Sequence, residues 1–215
     1  IDFYGTIVHE DGKIIKKISN EIFNTGNASS IKEIDSYWWT TFKNLFENSY
    51  GDTFRLQRDL ERESINRTLS HFGSNLSVDI LCKELFDEWM KPAIFEDSKK
   101  FIDNCSVPIY IVSNIDNIDI QAAVKYHNIN VNKIYTSEDA RSYKPRRELF
   151  EYALNDSGLN TDEVIHIGDS ISSDIIGASA LGIKTLWINR SGKIVPERVS
   201  SITRLTDVLE YININ

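Results

Sequence analysis

The chain has 215 residues, 41% hydrophobic and 26% charged, enough for one packed α/β core with a smaller attached domain, which excludes a disordered or fibrous protein. A net charge of −8 offers no electrostatic footprint for a phosphodiester backbone and argues against nucleic acid as a principal partner. The apolar runs, such as Ile109 to Val112 and Val164 to Ile167, fall far short of the roughly 20 residues a bilayer span needs, so no membrane-crossing helix is expected.

In chain order, the first residue is Ile1 rather than Met, and it reads as the end of a strand. Further apolar residues are expected ahead of it, completing a strand of about five or six. From Ile14 to about Trp89 the apolar residues recur at helical spacing: Ile14, Ile15, Ile18 and Ile22, then Tyr37, Trp38, Phe42, Leu45 and Phe46, then Leu56, Leu60, Ile65 and Leu69. The pattern breaks at Gly73-Ser74-Asn75, resumes from Val78 through Leu85 to Trp89, and stops at Lys91-Pro92, because proline disfavours helical geometry in the residue before it. Four helices are predicted. Cys82 and Cys105 lie in no CxxC or Cys/His spacing, so neither a disulfide framework nor a structural zinc site is expected, and a reducing, cytoplasmic setting fits.

After Ile94 short apolar strands alternate with amphipathic helices, the pattern of a parallel sheet covered on both faces. The predicted strands are Ile109 to Val112, Lys133 to Tyr135, Val164 to Ile167 and Thr185 to Ile188. Helices are predicted from Ser98 to Asn104, Asp119 to Tyr126, Arg147 to Leu154 and Ser173 to Ala180. The segment ending at Asp2 supplies one more parallel strand. The fold class is therefore α/β, a Rossmann-like parallel sheet with helices on both faces and an inserted helical bundle. Residues 1–12 and 95–215 form the core and residues 13–94 the insertion.

In an open parallel sheet, reactive side chains collect just past the C-terminal strand ends. Four segments fall there: Asp2-Phe3-Tyr4-Gly5-Thr6, Ser113-Asn114, Lys144-Pro145, and Gly168-Asp169-Ser170 with Asp174. Together they offer carboxylates, a lysine, hydroxyls and the backbone N–H groups around Gly5. A hard cation such as Mg²⁺ takes carboxylate and carbonyl oxygens, and phosphate completes its shell. A carboxylate nucleophile at Asp2 would split hydrolysis into two displacements, with Lys144 and the cation balancing charge.

In this order, flanking an early helical insertion, the four segments resemble the four motifs of the haloacid dehalogenase-like hydrolase superfamily over nearly the whole chain. The stretch GDSISSDIIGASALGI is similar to the fourth motif throughout, Gly177 and Gly182 included. The resemblance implies Asp2 as nucleophile, Lys144 as charge-balancing lysine, and Gly5, Thr6, Ser113 and Asn114 around the phosphoryl oxygens. Mg²⁺ would be held by Asp2, the Tyr4 carbonyl and Asp169, while Asp174 supports the metal water or orients Lys144. The helical insertion would be a cap that closes over the site and selects substrate, with Thr53 and Arg55 as substrate contacts in a loop between cap helices.

Two features depart from the phosphatase pattern. Tyr4 stands where those enzymes carry a second aspartate as general acid and base. Asp-x-Tyr-Gly-Thr is also the first motif of the L-2-haloacid dehalogenases, which need no metal. Those enzymes, however, carry Ser-x-Asn in the fourth motif, an arginine on an early cap helix and a tyrosine after the lysine. Here the positions read Gly168-Asp169-Ser170, Tyr37-Trp38-Trp39-Thr40-Thr41 and Phe150. The expected activity is a Mg²⁺-dependent phosphatase of a small phosphorylated metabolite. The alternatives are a metal-independent 2-haloacid dehalogenase and a non-catalytic ligand-binding member. Oligomeric state is left open.

Overall fold

A computed structural model describes residues 1–10 and 12–212; Asp11 and residues 213–215, which the sequence reading places in the core, lie outside the described residues. The chain divides into two compact units. One contains residues 1–10, 93–114 and the described residues from Val124 onward. The other contains the described residues from Gly12 to Pro92 together with Ile115–Ala123.

The second unit carries the four predicted helices, α1 (Gly12–Thr25), α2 (Ile31–Glu47), α3 (Gln57–His71) and α4 (Val78–Met90). Helix α2 starts where the Ser30 hydroxyl accepts from the Glu33 N–H at 3.2 Å while the Glu33 carboxylate accepts from the Ser29 N–H at 2.8 Å, which satisfies end groups that a helix leaves open. Ile34 and Trp38, four residues apart, share its buried face. The Trp38 indole donates to the Glu61 carboxylate at 2.6 Å and the Ser64 hydroxyl at 3.0 Å, so this core holds its polar groups in partnership. Helix α4 buries Leu81, Cys82, Leu85, Phe86 and Trp89 and ends at the residue before Lys91-Pro92.

The sequence reading assigned Ile115–Ala123 to the core, yet it groups with the helices. The reason is electrostatic. Asp116 accepts from the backbone N–H groups of Gln57 and Arg58 at the start of α3, at 2.8 and 2.9 Å. Asp119 receives the Arg58 guanidinium through two nitrogens. A carboxylate at a helix N-terminus and a forked ion pair are both favourable.

The first unit contains α5 (Glu96–Asn104), β1 (Tyr110–Ser113), the end of α6 (Asn117–His127), β2 (Lys133–Thr136), α7 (Ser137–Ala140), α8 (Arg147–Ser157), β3 (Ile165–Gly168), α9 (Gly177–Ser179), β4 (Lys184–Ile188), β5 (Ser201–Ile202) and α10 (Val208–Ile212). The named strands pair in parallel, and a single antiparallel bridge joins Val8 to Ile94. β1 aligns with β2 from Tyr110 opposite Lys133 to Ser113 opposite Thr136, and β3, β4 and β5 follow one another. Ile1 and Asp2 join the two groups: Val112 N–H donates to the Ile1 carbonyl at 2.9 Å, and Asp2 N–H to the Ile167 carbonyl at 2.8 Å. Ile1 and Asp2 thus take the position of the predicted strand between β1 and β3.

Strands β1 and β3 begin one residue later than predicted. At Ile109 the backbone N–H is taken by the Asn132 side chain at 2.8 Å instead of a ladder partner. The predicted helix from Ser173 to Ala180 is a π-helical segment, Ile171–Ile176, running into α9. The Ser170 carbonyl accepts from both Asp174 and Ile175 N–H groups, at 2.9 and 3.2 Å, which widens the turn. Helices α7 and α10 and strand β5 are too short to leave a periodic signal.

Val112, Tyr135, Leu149, Phe150, Ala153, Ala178 and Ile183 form the core between sheet and helices, each large apolar side chain contributing about 1.5–3 kcal/mol by leaving water. An apolar cavity of about 480 Å³, lined by Ile1, Tyr110, Ile165 and Tyr211 among others, opens toward the N-terminal strand ends. The polar residues gather at the opposite, C-terminal ends. Among the described residues no helix is long and apolar enough to cross a membrane.

Candidate active site

The turn after Asp2 is closed by its own backbone: the Phe3 carbonyl accepts from Ile7 N–H at 2.8 Å, and Gly5 N–H donates to the Val8 carbonyl at 2.8 Å. Gly5 has φ +83°, and a Cβ there would lie 2.6 Å from the Asp169 carboxyl atoms. Gly168 is under a harder constraint, since its Cβ would stand 2.2 Å from Asp174 Cγ. These two glycines let two backbone turns close on two carboxylates.

Asp2, Asp169 and Asp174 offer oxygen atoms that all lie within 4.8 Å of one another. Lys144, buried, points its ammonium among them and donates to Asp2 Oδ1 at 2.7 Å, Asp174 Oδ1 at 2.7 Å and the Val112 carbonyl at 2.8 Å. Three acceptors match its three N–H bonds. The Asn114 amide holds the backbone of Lys144 from both sides, Nδ2 donating to its carbonyl at 2.9 Å and Oδ1 accepting from its N–H at 2.7 Å. Both ends of the Asn114 amide, expected beside a phosphoryl oxygen, are thus bonded to the Lys144 backbone.

Both Asp174 oxygens are engaged. Oδ1 meets Lys144 and, at 2.9 Å, His166 Nε2, while Oδ2 accepts from Ser170 N–H at 3.1 Å. Asp174 thus contacts Lys144 directly and also belongs to the three-carboxylate cluster. The Thr6 hydroxyl lies 3.5 Å from Asp2 Oδ2 and 3.3 Å from Asp169 Oδ1.

Electrostatically the cluster sets three carboxylates against one lysine. Burial raises Asp2 above the ordinary carboxylate range although Lys144 opposes the rise. Burial, then the charges of Asp2 and Asp174, push Asp169 up to about 8. Burial also raises Asp174, but Lys144 and the His166 hydrogen bond outweigh it and hold that carboxyl well below its usual range. Burial disfavours the Lys144 charge, yet Asp174 and Asp2 more than compensate and keep it protonated. His166 is pushed down to about 4 by burial and is neutral at pH 7.

One consequence is measurable without substrate. Because the folded Asp169 pKa lies above its unfolded value, its contribution to stability is complete below about pH 4 and is lost as pH rises through about 8. In EDTA the melting temperature is expected to fall across that window, with Asp169→Asn flattening the fall. Calorimetry at a series of pH values checks it, and an equal slope in both proteins would contradict the assignment.

The remaining predicted residues fall as follows. Ser113 is buried at the end of β1, next to the Val112 carbonyl that Lys144 holds. Tyr4 is half-buried in the Asp2 turn, its ring edge-on to Phe3 with centroids 5.1 Å apart. Thr53 and Arg55 belong to the helical unit. The Thr53 hydroxyl donates to the Tyr50 carbonyl at 2.9 Å, and Arg55 pairs with Glu63 at 2.7 Å. Two contacts escaped the sequence reading. His166 is buried and bonded to Asp174. The Trp187 indole donates to the Asp169 carbonyl at 2.8 Å. For His166 a signal existed, since strand alternation puts it on the same face as Gly168.

A sequence profile for "Haloacid dehalogenase-like hydrolase" matches residues 1–188. The zebrafish "Haloacid dehalogenase-like hydrolase domain-containing protein 3" is 29% identical over 53% of this chain, and the chain spans only 50% of that relative's length. "(S)-2-haloacid dehalogenase" of Pseudomonas sp. (strain YL) is 23% identical over 91% of this chain and 84% of its own length. Human "N-acylneuraminate-9-phosphatase" is 33% identical over 35% of this chain and 34% of its own. Among solved structures, an L-2-haloacid dehalogenase superposes with a TM-score of 0.80 at 18% identity, covering 100% of this chain and 97% of the other, a likeness of fold.

Proposed function

The chain belongs to the haloacid dehalogenase-like hydrolases, and from that membership we propose a Mg²⁺-dependent phosphatase of a small phosphorylated metabolite that works through an aspartyl-phosphate on Asp2. The observation that carries the proposal is the surplus of carboxylate: Lys144 bonds Asp2 and Asp174 directly, and its charge is outweighed at Asp169, whose pKa burial and like charge drive upward. A hard oxygen-seeking cation fits this donor set. Asp2, Asp169 and the Tyr4 carbonyl would hold it. Bound there, Mg²⁺ would allow both carboxylates to ionise and would draw charge from the phosphoryl oxygens.

Asp2 attacks phosphorus, the bond to the leaving oxygen breaks, and water then cleaves the acyl phosphate to regenerate Asp2. The Thr6 and Ser113 hydroxyls serve the equatorial oxygens and Lys144 contributes its charge, while the N–H groups of Gly5, Thr6 and Ile7 close the turn on the Phe3 and Val8 carbonyls. Tyr4 leaves the usual proton donor's position without a carboxyl group. A positioned acid is worth about 10²–10⁴ in rate, so the reading favours substrates whose leaving group needs little protonation. A cytoplasmic location belongs to the proposal, with Cys82 and Cys105 as free thiols.

Tyr4 and the long alignment with an (S)-2-haloacid dehalogenase support a second reading, in which Asp2 displaces halide from carbon without a metal. Phosphate release from p-nitrophenyl phosphate and halide release from 2-chloropropionate, each with Mg²⁺ and with EDTA, separate the two. Under the phosphatase reading, Asp169→Asn weakens Mg²⁺ binding by about tenfold or more, because a ligand lost costs at least as much as a supporting residue. Titration calorimetry checks this, and unchanged affinity would remove Asp169 from the metal site.

A further inference from the structure

Arg190 lies two residues beyond the end of β4 and makes a fork of contacts. Nη1 donates to the two Asp97 oxygens at 2.9 and 3.1 Å, and Nη2 donates to the Thr6 carbonyl at 2.8 Å. Its guanidinium carbon stands 3.8 Å from the centroid of the Phe95 ring. Asp97 is buried and accepts in addition from the Leu205 N–H at 2.6 Å, so the anchor of the fork is itself fixed. Thr6 is fully buried. Arg190 takes its carbonyl, while its hydroxyl lies near Asp2 and Asp169.

We propose that Arg190 is a positioning residue for the Asp2 turn, holding the Thr6 peptide so that the Thr6 hydroxyl stays beside the Asp2 and Asp169 carboxylates. The inference rests on Asp2 as the nucleophile and is the same for phosphoryl or halide displacement. Two features distinguish it from a plain staple between Asp97 and the sheet. A lysine would pair with Asp97 equally well, but Arg190 meets the Asp97 carboxylate and the Thr6 carbonyl through two nitrogens of one rigid plane, which fixes the two contacts relative to each other. The structure also tolerates a buried Arg190 Nε with no acceptor among the described residues, a cost that a lysine would avoid.

The test compares Arg190→Ala, Arg190→Lys and Asp97→Asn in the full chain with Mg²⁺ and p-nitrophenyl phosphate, alongside melting temperature and amide hydrogen exchange of residues 3–8. Arg190→Ala is expected to lower kcat by about tenfold or more with KM within about twofold, since orientation is lost in the chemical step. Arg190→Lys keeps charge beside Asp97 yet fails to restore kcat. Asp97→Asn loses stability but keeps kcat within about threefold, because the Thr6 bond remains. If Arg190→Ala does not fold, Arg190→Lys carries the comparison. Restored kcat in Arg190→Lys, or kcat unchanged in Arg190→Ala while the melting temperature drops, would make Arg190 a staple and overturn the proposal. Should the wild-type protein turn over neither p-nitrophenyl phosphate nor 2-chloropropionate, the activity reading fails, and hydrogen exchange decides. Faster exchange at residues 3–8 in both Arg190 variants than in Asp97→Asn supports positioning, and equal exchange refutes it.

Discussion

Asp2→Asn is expected to reduce turnover by about 10⁴-fold or more, because the amide oxygen is a poor nucleophile and no other group takes its place. The fold should survive. Asparagine has the shape of aspartate, and Lys144 keeps Asp174 and the Val112 carbonyl as acceptors. Stability should even become less sensitive to alkaline pH, since the Asp2 charge is one of the causes that push Asp169 up. Single-turnover phosphate release and circular dichroism on the same sample test both halves. A folded variant that retains about a hundredth of the wild-type rate would rule out attack by Asp2.

Lys144→Met is expected to cost both stability and rate. The ammonium is buried between Asp2 and Asp174 at 2.7 Å from each, and its removal leaves two buried carboxylates without a counter-charge. Breaking such a pair from one side costs about 3–5 kcal/mol. Loss of charge facing the transferred group removes a further factor of about 10²–10³ from kcat. Arginine is not expected to rescue, because its planar fork cannot reach three acceptors arranged for an ammonium. Chemical denaturation and kcat measurements on Lys144→Met and Lys144→Arg check this. A stable, active Lys144→Arg would show that charge alone is required there.

Much of the architecture was legible in one dimension. The switch from helical spacing before Trp89 to short apolar runs after Ile94 follows from what each element buries: one stripe for a helix, both faces for a central parallel strand. The candidate residues were legible for a related reason. A parallel sheet places strand-to-helix loops at one edge, so Asp2, Ser113, Lys144 and Asp169 could be grouped before any coordinate was known. Short elements were not legible. Strand β5 has two residues, fewer than a period, and α7 is held by its Thr136–Asp139 capping box.

The sequence by itself determined the alternation of elements and the identity of the polar residues that end the strands, because both are set by local burial pattern and local turn chemistry. Only the tertiary structure decided how those residues divide their work. That Asn114 grips the backbone of Lys144, that Asp174 is spent on Lys144 and His166, and that Arg190 reaches Thr6 are outcomes of pairing across 8 to 184 residues of chain. In a buried cluster each donor goes to the acceptor that three-dimensional packing brings within hydrogen-bond reach, and no periodicity in the sequence encodes that choice.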